Sequence, residues 1–122
     1  MTTHESVYPS ALADKCVELL CARQPHVQYA AVNLTAARYL MMHGYIEPQD
    51  GRNWNSARFV VLSPDTRHFY YAVDLRSETC TCAGFLRYQR PCKHICAVVL
   101  TMLAQRRLGC ARRTNHTKAR AK

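Results

Sequence analysis

The spacing of apolar residues predicts two helices in the first third of the chain. The apolar positions of the first helix recur at intervals of three and four residues, which places them on one helix face: Leu12, Cys16, Leu19 and Leu20. We expect this helix to begin at Ser10, a residue type that caps helices, and to end near Arg23, before a proline. A second helix is predicted over Leu34–His43, with Gly44 just after its end. The segment Glu47–Gly51 then predicts a turn.

A β-hairpin is predicted over residues 57–75. Phe59–Leu62 is its first strand, and Ser63–Thr66 is a turn with proline at the favoured second position. In the second strand, from about His68 to Leu75, apolar and polar residues tend to alternate, as in a half-buried strand. The last apolar pattern predicts an amphipathic helix of three turns or more: Ile95, Val98, Val99, Met102 and Leu103.

The chain contains seven cysteines, and their uneven distribution along the sequence points to a metal site. An odd number, without the basic and apolar regions of a signal peptide at the N-terminus, argues against a disulfide framework and for metal binding in a reducing compartment. Cys80 and Cys82 are two residues apart on an extended segment, so their side chains point to the same side. Cys92 and His94 follow after a nine-residue loop, at the start of the last helix. Zinc prefers tetrahedral sulfur and nitrogen ligands, so these four residues predict one zinc site.

One alternative concerns the identity of the ligands, and another concerns the role of the zinc. Cys96 lies four residues after Cys92 and could replace one of the ligands, although a small buried residue of the helix is the simpler interpretation. A catalytic zinc would keep a position for water and use a general base nearby, but no Asp or Glu follows Glu78. We therefore expect a structural zinc, no catalytic residues and no enzymatic activity.

The two ligand pairs, Cys80-Thr81-Cys82 and Cys92-Lys93-His94, resemble the SWIM-type zinc finger, whose pattern is CxC, a variable gap and CxH. The neighbouring Tyr71–Asp74 and Phe85 are also similar to that family, and the resemblance is strong over residues 57–103. Ala83 is a departure, since many members have proline there. Small prokaryotic proteins and mobile-element proteins are among the family. The resemblance implies an α+β fold with a small zinc-stabilised ββα unit that binds DNA or a protein partner, without catalysis.

The distribution of charge changes just before the first predicted zinc ligand, Cys80. Residues 1–78 are nearly neutral, whereas residues 79–122 contain ten basic residues and no acid. Basic residues neutralise phosphates, so we expect binding to DNA or RNA, with DNA favoured. The candidate contacts are Arg87, Tyr88, Arg90, Lys93, Arg106, Arg107, Arg112, Arg113, Lys118, Arg120 and Lys122. The alternative is that these charges only solvate a tail and balance an anionic zinc centre.

The resulting organisation has four parts. They are a flexible N-terminus (1–7), a helical segment (8–46), the zinc-binding hairpin and helix (47–105), and a flexible basic tail (106–122). No apolar run approaches the ~20 residues of a transmembrane helix, so we expect no membrane association. The cysteine usage predicts an intracellular protein in a reducing compartment, and we expect no small-molecule substrate. The alternative function is a protein–protein adaptor, whose zinc finger docks on a larger DNA-processing complex.

Overall fold

The computed structural model describes residues 7–23, 31–51, 54–65, 69–88 and 91–120. For residues 31, 32, 88 and 109–120 the description covers the backbone only. The helices and strands are α1 (Ser10–Arg23), α2 (Ala31–Met42), β1 (Ile46–Pro48), β2 (Arg58–Leu62), β3 (Tyr70–Asp74), β4 (Thr79–Cys80), α3 (Ala83–Tyr88) and α4 (Lys93–Arg120). The strands form one antiparallel sheet in the order β1-β2-β3-β4. The protein is therefore a small mixed fold of helices and a four-stranded sheet.

Helix α4 lies at the centre of the fold, because α1, α2 and the sheet all pack against it. Side chains alternate across the sheet, and Phe59, Val61 and Val73 face the core, where they are fully buried. Val98 and Leu100 of α4 are equally buried. This packing fixes the first turn of α4 relative to the sheet, which is where the predicted ligands meet.

The two N-terminal helices are also tied to each other and to α4. The Arg38 guanidinium of α2 donates to the Asp14 carboxylate at 2.8 Å and to the Ser10 hydroxyl at 2.6 Å, both in α1. The Gln105 amide of α4 donates to the Tyr8 hydroxyl at 2.7 Å. Helices α1 and α2, each predicted from its own apolar face, thus form one helical layer that packs against α4.

Gly44 ends α2 as the sequence predicts. Its φ of 73° lies in the left-handed region, which glycine adopts without a Cβ penalty. The N–H of Gly44 donates to the Met41 carbonyl, and the N–H of Tyr45 donates to the Leu40 carbonyl, which are the two bonds of a Schellman cap. The chain turns at this cap directly into β1.

Three short elements were not predicted. The turn expected over Glu47–Gly51 begins with strand β1, which pairs Ile46 with Val61 and Pro48 with Phe59. Strand β4 is two residues long and pairs Cys80 with Val73. The loop expected between the ligand pairs contains helix α3. The simple ββα arrangement is therefore not confirmed in that form, since the hairpin is extended by a strand on each side and a short helix precedes α4.

The predicted basic tail over residues 106–122 is not confirmed. Helix α4 continues through Arg120, whereas a disordered tail was expected over residues 106–122. The sequence explains the continuation, because alanine and arginine are good helix formers and no proline follows Pro91. The expected flexible N-terminus over 1–7 lies outside the described residues except for Val7, whose N–H donates to the Met42 carbonyl. Among the helices described, none combines the length and hydropathy of a membrane span.

Candidate metal centre

The four predicted ligands come from three consecutive elements and meet in the interior. Cys80 is in β4, Cys82 immediately precedes α3, Cys92 immediately precedes α4, and His94 is in the first turn of α4. Their ligand atoms all lie within 4.8 Å of one another, and all four side chains are buried. The fold thus brings together residues that are up to fourteen positions apart in the sequence.

The geometry of the cluster fits a tetrahedral zinc ion. The Nδ1 atom of His94 lies 3.7 Å from the Cys80 sulfur and 3.8 Å from the Cys92 sulfur. Zn–S bonds of ~2.3 Å and Zn–N bonds of ~2.0 Å at a tetrahedral angle place sulfur and nitrogen ~3.5 Å apart, close to the observed distances. Three thiolates and one imidazole are also the donor set of many structural zinc sites. These four residues therefore fit a single structural zinc bound through Nδ1 of His94.

Two of the ligand sulfurs cap helices. The Cys82 sulfur accepts the backbone N–H of Phe85 at 3.3 Å, while its carbonyl accepts the first helical bond of α3 from Leu86. Cys92 repeats this arrangement at α4, where its thiolate accepts the N–H of Ile95 and its carbonyl accepts that of Cys96. A helix N-terminus stabilises negative charge, so α4 favours the thiolate form of Cys92 that binds metal.

The close approach of the cysteine sulfurs shifts the pKa values of two of the thiols. The hydrogen bond from the Cys80 thiol lowers the pKa of Cys92 to about 4, against the opposing effect of desolvation. Hydrogen bonds from His94 and from the Ile95 N–H also lower this pKa. The same hydrogen bond to Cys92, together with burial, raises the pKa of Cys80. A zinc ion replaces the Cys80 proton as the positive charge that the sulfurs share.

Thr81 and Tyr71 hold the ligands in place. Thr81, between the two cysteines of the first pair, makes two bonds to Ala72 of β3. Its hydroxyl accepts the Ala72 N–H at 3.0 Å, and its own N–H donates to the Ala72 carbonyl at 3.1 Å. The ring of Tyr71 stacks on the imidazole of His94. The sequence pattern did not reveal either contact, because both depend on the pairing of β3 with the segment around β4.

Cys96 lies outside this ligand group. Its side chain is 1% exposed, and burial raises the pKa of its thiol to about 12. Within the described part of the chain, the group of ligand atoms close enough to share a metal consists of the four predicted residues. The structure therefore favours the interpretation of Cys96 as a buried helix residue over a substitute ligand.

The basic candidates are distributed around this centre and along α4. Arg87 and Lys93 are exposed on α3 and α4 beside the cluster, and Arg106 and Arg107 are exposed three turns further along α4. Only the backbone is described for Tyr88, Arg112, Arg113, Lys118 and Arg120. Arg90 and Lys122 lie outside the described residues. The four described side chains thus occupy two places on the surface, one at the metal centre and one beyond it.

A comparison with protein families identifies the metal-binding half. The SWIM zinc finger model matches residues 59–103, from β2 through the first three turns of α4, and so includes all four ligands. Residues 59–103 form a SWIM zinc finger. The match confirms the family resemblance of the sequence, and the SWIM finger and its Cys/His cluster together fit one structural zinc. No curated protein and no solved structure matches the chain significantly.

Helices α1 and α2 precede the matched segment. They nevertheless pack on α4, the helix whose first turn supplies His94. In this protein the SWIM finger is thus built into a larger fold, and its last helix is shared with the N-terminal helical layer.

Proposed function

We propose that this protein is a zinc-stabilised module that binds nucleic acid, with DNA as the preferred form, through the basic surface of the SWIM finger and α4. One observation carries the proposal. Every charged residue after Glu78 is basic, and each of the four whose side chains are described is exposed: Arg87, Lys93, Arg106 and Arg107. A surface with one sign of charge attracts the phosphate backbone, and each neutralised phosphate releases counterions.

The continuation of α4 extends this surface in one direction. Arg106, Arg113 and Arg120 are seven residues apart, so a continuous helix places their backbone positions on nearly the same side. From the first to the third of these positions the helix rises by ~21 Å. A basic series of that length supports contacts with several phosphates along a nucleic acid.

In this proposal the zinc has a structural role. All four coordination positions have a protein ligand within the SWIM finger, which leaves no open position for a water or a substrate. The nearest acid in the sequence, Glu78, is exposed in the turn between β3 and β4. We therefore propose a binding function without catalysis.

The test measures the salt dependence of DNA binding by the zinc-loaded chain. We expect the logarithm of the binding constant to fall linearly with the logarithm of the salt concentration, with a slope of about −0.9 per phosphate contacted in duplex DNA. Replacing Arg112, Arg113, Lys118, Arg120 and Lys122 by glutamine preserves the length of the chain and is expected to make that slope shallower. Arg76→Gln removes an exposed charge from the other half of the chain and serves as the matched control. Absence of binding at low salt would contradict the proposal.

A second candidate is the protein–protein adaptor, which a groove between α1 and α4 favours. The groove has a volume of about 220 Å³, and its apolar lining includes Leu20, Val99 and Met102. Arg23, Arg106 and Glu78 also border it, so a fitting partner presents apolar side chains flanked by charged ones, with acids opposite the two arginines. Stoichiometric co-purification of a protein that Val99→Asp removes, together with no DNA binding, would favour this function over the first.

A further inference from the structure

A second groove lies beside the metal centre, on the side of α2. It has a volume of about 470 Å³, within the range of pockets that hold small ligands. Helix α2 forms one wall, the turn after β2 forms another, and Tyr71 of β3 and the start of α4 complete it. Neither the SWIM ligand pattern nor the basic series along α4 accounts for this groove.

Two tyrosine rings, Tyr39 and Tyr71, line the groove on different sides, and a phenylalanine ring lies beside it. Tyr39 of α2 stacks on Tyr45 at 6.2 Å between ring centroids, yet 46% of Tyr39 remains exposed. Tyr71 lines the opposite side, and Phe69 lies beside the groove in a T-shaped contact with Tyr71, with ring centroids 5.6 Å apart. Phe69 is 61% exposed, which is costly for a phenylalanine that packs only for stability. These rings offer aromatic surface that the fold itself leaves uncovered.

The charged groups of the groove are a lysine and an aspartate. Lys93, the first residue of α4, is exposed and lines the groove next to His94. Asp65 lines it from the turn after β2, where its backbone N–H donates to the Ser63 hydroxyl. An anionic ligand is therefore expected to place its charge at Lys93 and away from Asp65.

We propose that this groove binds single-stranded DNA, with bases stacked on Tyr39 and Phe69 and a phosphate at Lys93. The inference rests on the proposed function and specifies the form of nucleic acid that this part of the SWIM finger recognises. Bases of a single strand are free to stack on aromatic side chains, whereas those of a duplex are already stacked on one another. Exposed rings together with one cation predict binding through stacking and a phosphate contact, which depends little on base identity.

The experiment compares two neighbouring exposed aromatic residues. The probe is a labelled oligodeoxythymidine about twelve nucleotides long, which is within the site sizes of single-strand-binding folds, titrated with the zinc-loaded full chain. Phe69→Ala removes the ring that contacts Tyr71 beside the groove, just before β3. Tyr70→Ala removes a ring of similar exposure, 57%, whose strand position places it on the opposite face of the sheet. Tyr39→Ala tests the other wall, and equal zinc content in all variants shows that the finger is intact.

We expect the oligodeoxythymidine to bind more tightly than a duplex of equal length. Phe69→Ala and Tyr39→Ala should each weaken it about fivefold or more, whereas Tyr70→Ala should leave it unchanged. Lys93→Gln should make the salt slope shallower by about 0.7, the value for one phosphate of a single strand. Asp65→Asn should strengthen binding, because it removes the opposing charge.

Two results would overturn the inference in distinguishable ways. If both alanine variants bind the oligodeoxythymidine as tightly as Tyr70→Ala does, while salt-dependent binding persists, the groove proposal fails and the proposed function stands. If neither the single strand nor the duplex binds at low salt, both fail together.

Discussion

The ring of Tyr71 stacks on the imidazole of His94, with centroids 4.4 Å apart and ring planes 27° apart. This contact joins strand β3 to the first turn of α4 through a metal ligand. It also fixes the orientation of the imidazole whose Nδ1 faces the cysteine sulfurs. Side chains that orient metal ligands contribute to metal affinity even though they do not touch the metal.

Tyr71→Ala is therefore expected to weaken zinc binding by about tenfold, because the imidazole of His94 loses the surface that orients it. Tyr71→Phe keeps the ring and should keep the affinity. A competition titration with a chromogenic chelator measures both, and Tyr70→Ala is the control for losing a tyrosine from the same strand. Wild-type affinity in Tyr71→Ala would show that the stacking does not position the ligand.

Individual replacement of the ligands should abolish or greatly reduce zinc retention. We expect one zinc per chain in the wild type and in Cys96→Ala, but less than one in His94→Ala and in Cys82→Ser. Zinc content after extensive dialysis provides the measurement. Loss of zinc in Cys96→Ala with retention in His94→Ala would show that the ligand set is wrong.

The alkylation rates of the cysteines in the wild-type protein should distinguish the zinc ligands from the other thiols. In the zinc-loaded protein Cys21 is exposed and should be alkylated quickly, whereas Cys16 and Cys96 are almost completely buried. A chelator should make Cys80, Cys82 and Cys92 reactive, because the metal no longer holds their thiolates together. Mass spectrometry of the labelled peptides distinguishes these groups. Rapid labelling of Cys80, Cys82 and Cys92 before chelation would contradict a closed site.

The cap of α2 provides a test of the fold that is independent of zinc. Gly44 and Gly51 both have positive φ, so alanine at either position costs about 1 kcal/mol in backbone strain. A Cβ on Gly44 would also lie 2.8 Å from the Val7 side chain, whereas nothing lies within 4 Å of one on Gly51. We expect Gly44→Ala to lower the free energy of unfolding by about 1 kcal/mol more than Gly51→Ala does.

Urea denaturation measures this difference. Adding Val7→Ala should remove most of the extra cost of Gly44→Ala, since the two side chains then no longer collide. Equal destabilisation by the two glycine variants would mean that the N-terminal segment does not pack on the cap.

The sequence predicted those parts of the fold that depend on local patterns. The apolar face of α1, the cap at Gly44 and the hairpin around Phe59–Leu62 each follow from a few neighbouring residues. The zinc ligands were predictable for the same reason, because the two pairs flank one segment and the residue types suit one metal.

Two of the three missed elements depend on contacts between distant residues, and the third depends on an unusual local cap. Strand β1 is three residues long and includes Pro48, so its own sequence favours a turn, and only its pairing with β2 makes it a strand. Strand β4 exists through the pairing of Cys80 with Val73. Helix α3 begins at Ala83, where the family often has proline, and Cys82 caps it by accepting the Phe85 N–H with a sulfur atom, which is not a usual capping signal.

The grooves beyond the ligand pattern were also not predictable from sequence. Tyr39 and Tyr71 are thirty-two positions apart, and each looks like an ordinary core aromatic in its own helix or strand. Only the packing of α2 and β3 around the start of α4 brings them to one groove.

X-ray absorption at the zinc edge tests the central claim most directly, because it reads the ligand atoms of the metal in solution. Three sulfur neighbours at ~2.3 Å and one nitrogen neighbour at ~2.0 Å are expected for a zinc held by Cys80, Cys82, Cys92 and His94. Four sulfur neighbours would assign the fourth position to another cysteine. An oxygen neighbour from water would contradict a closed structural site.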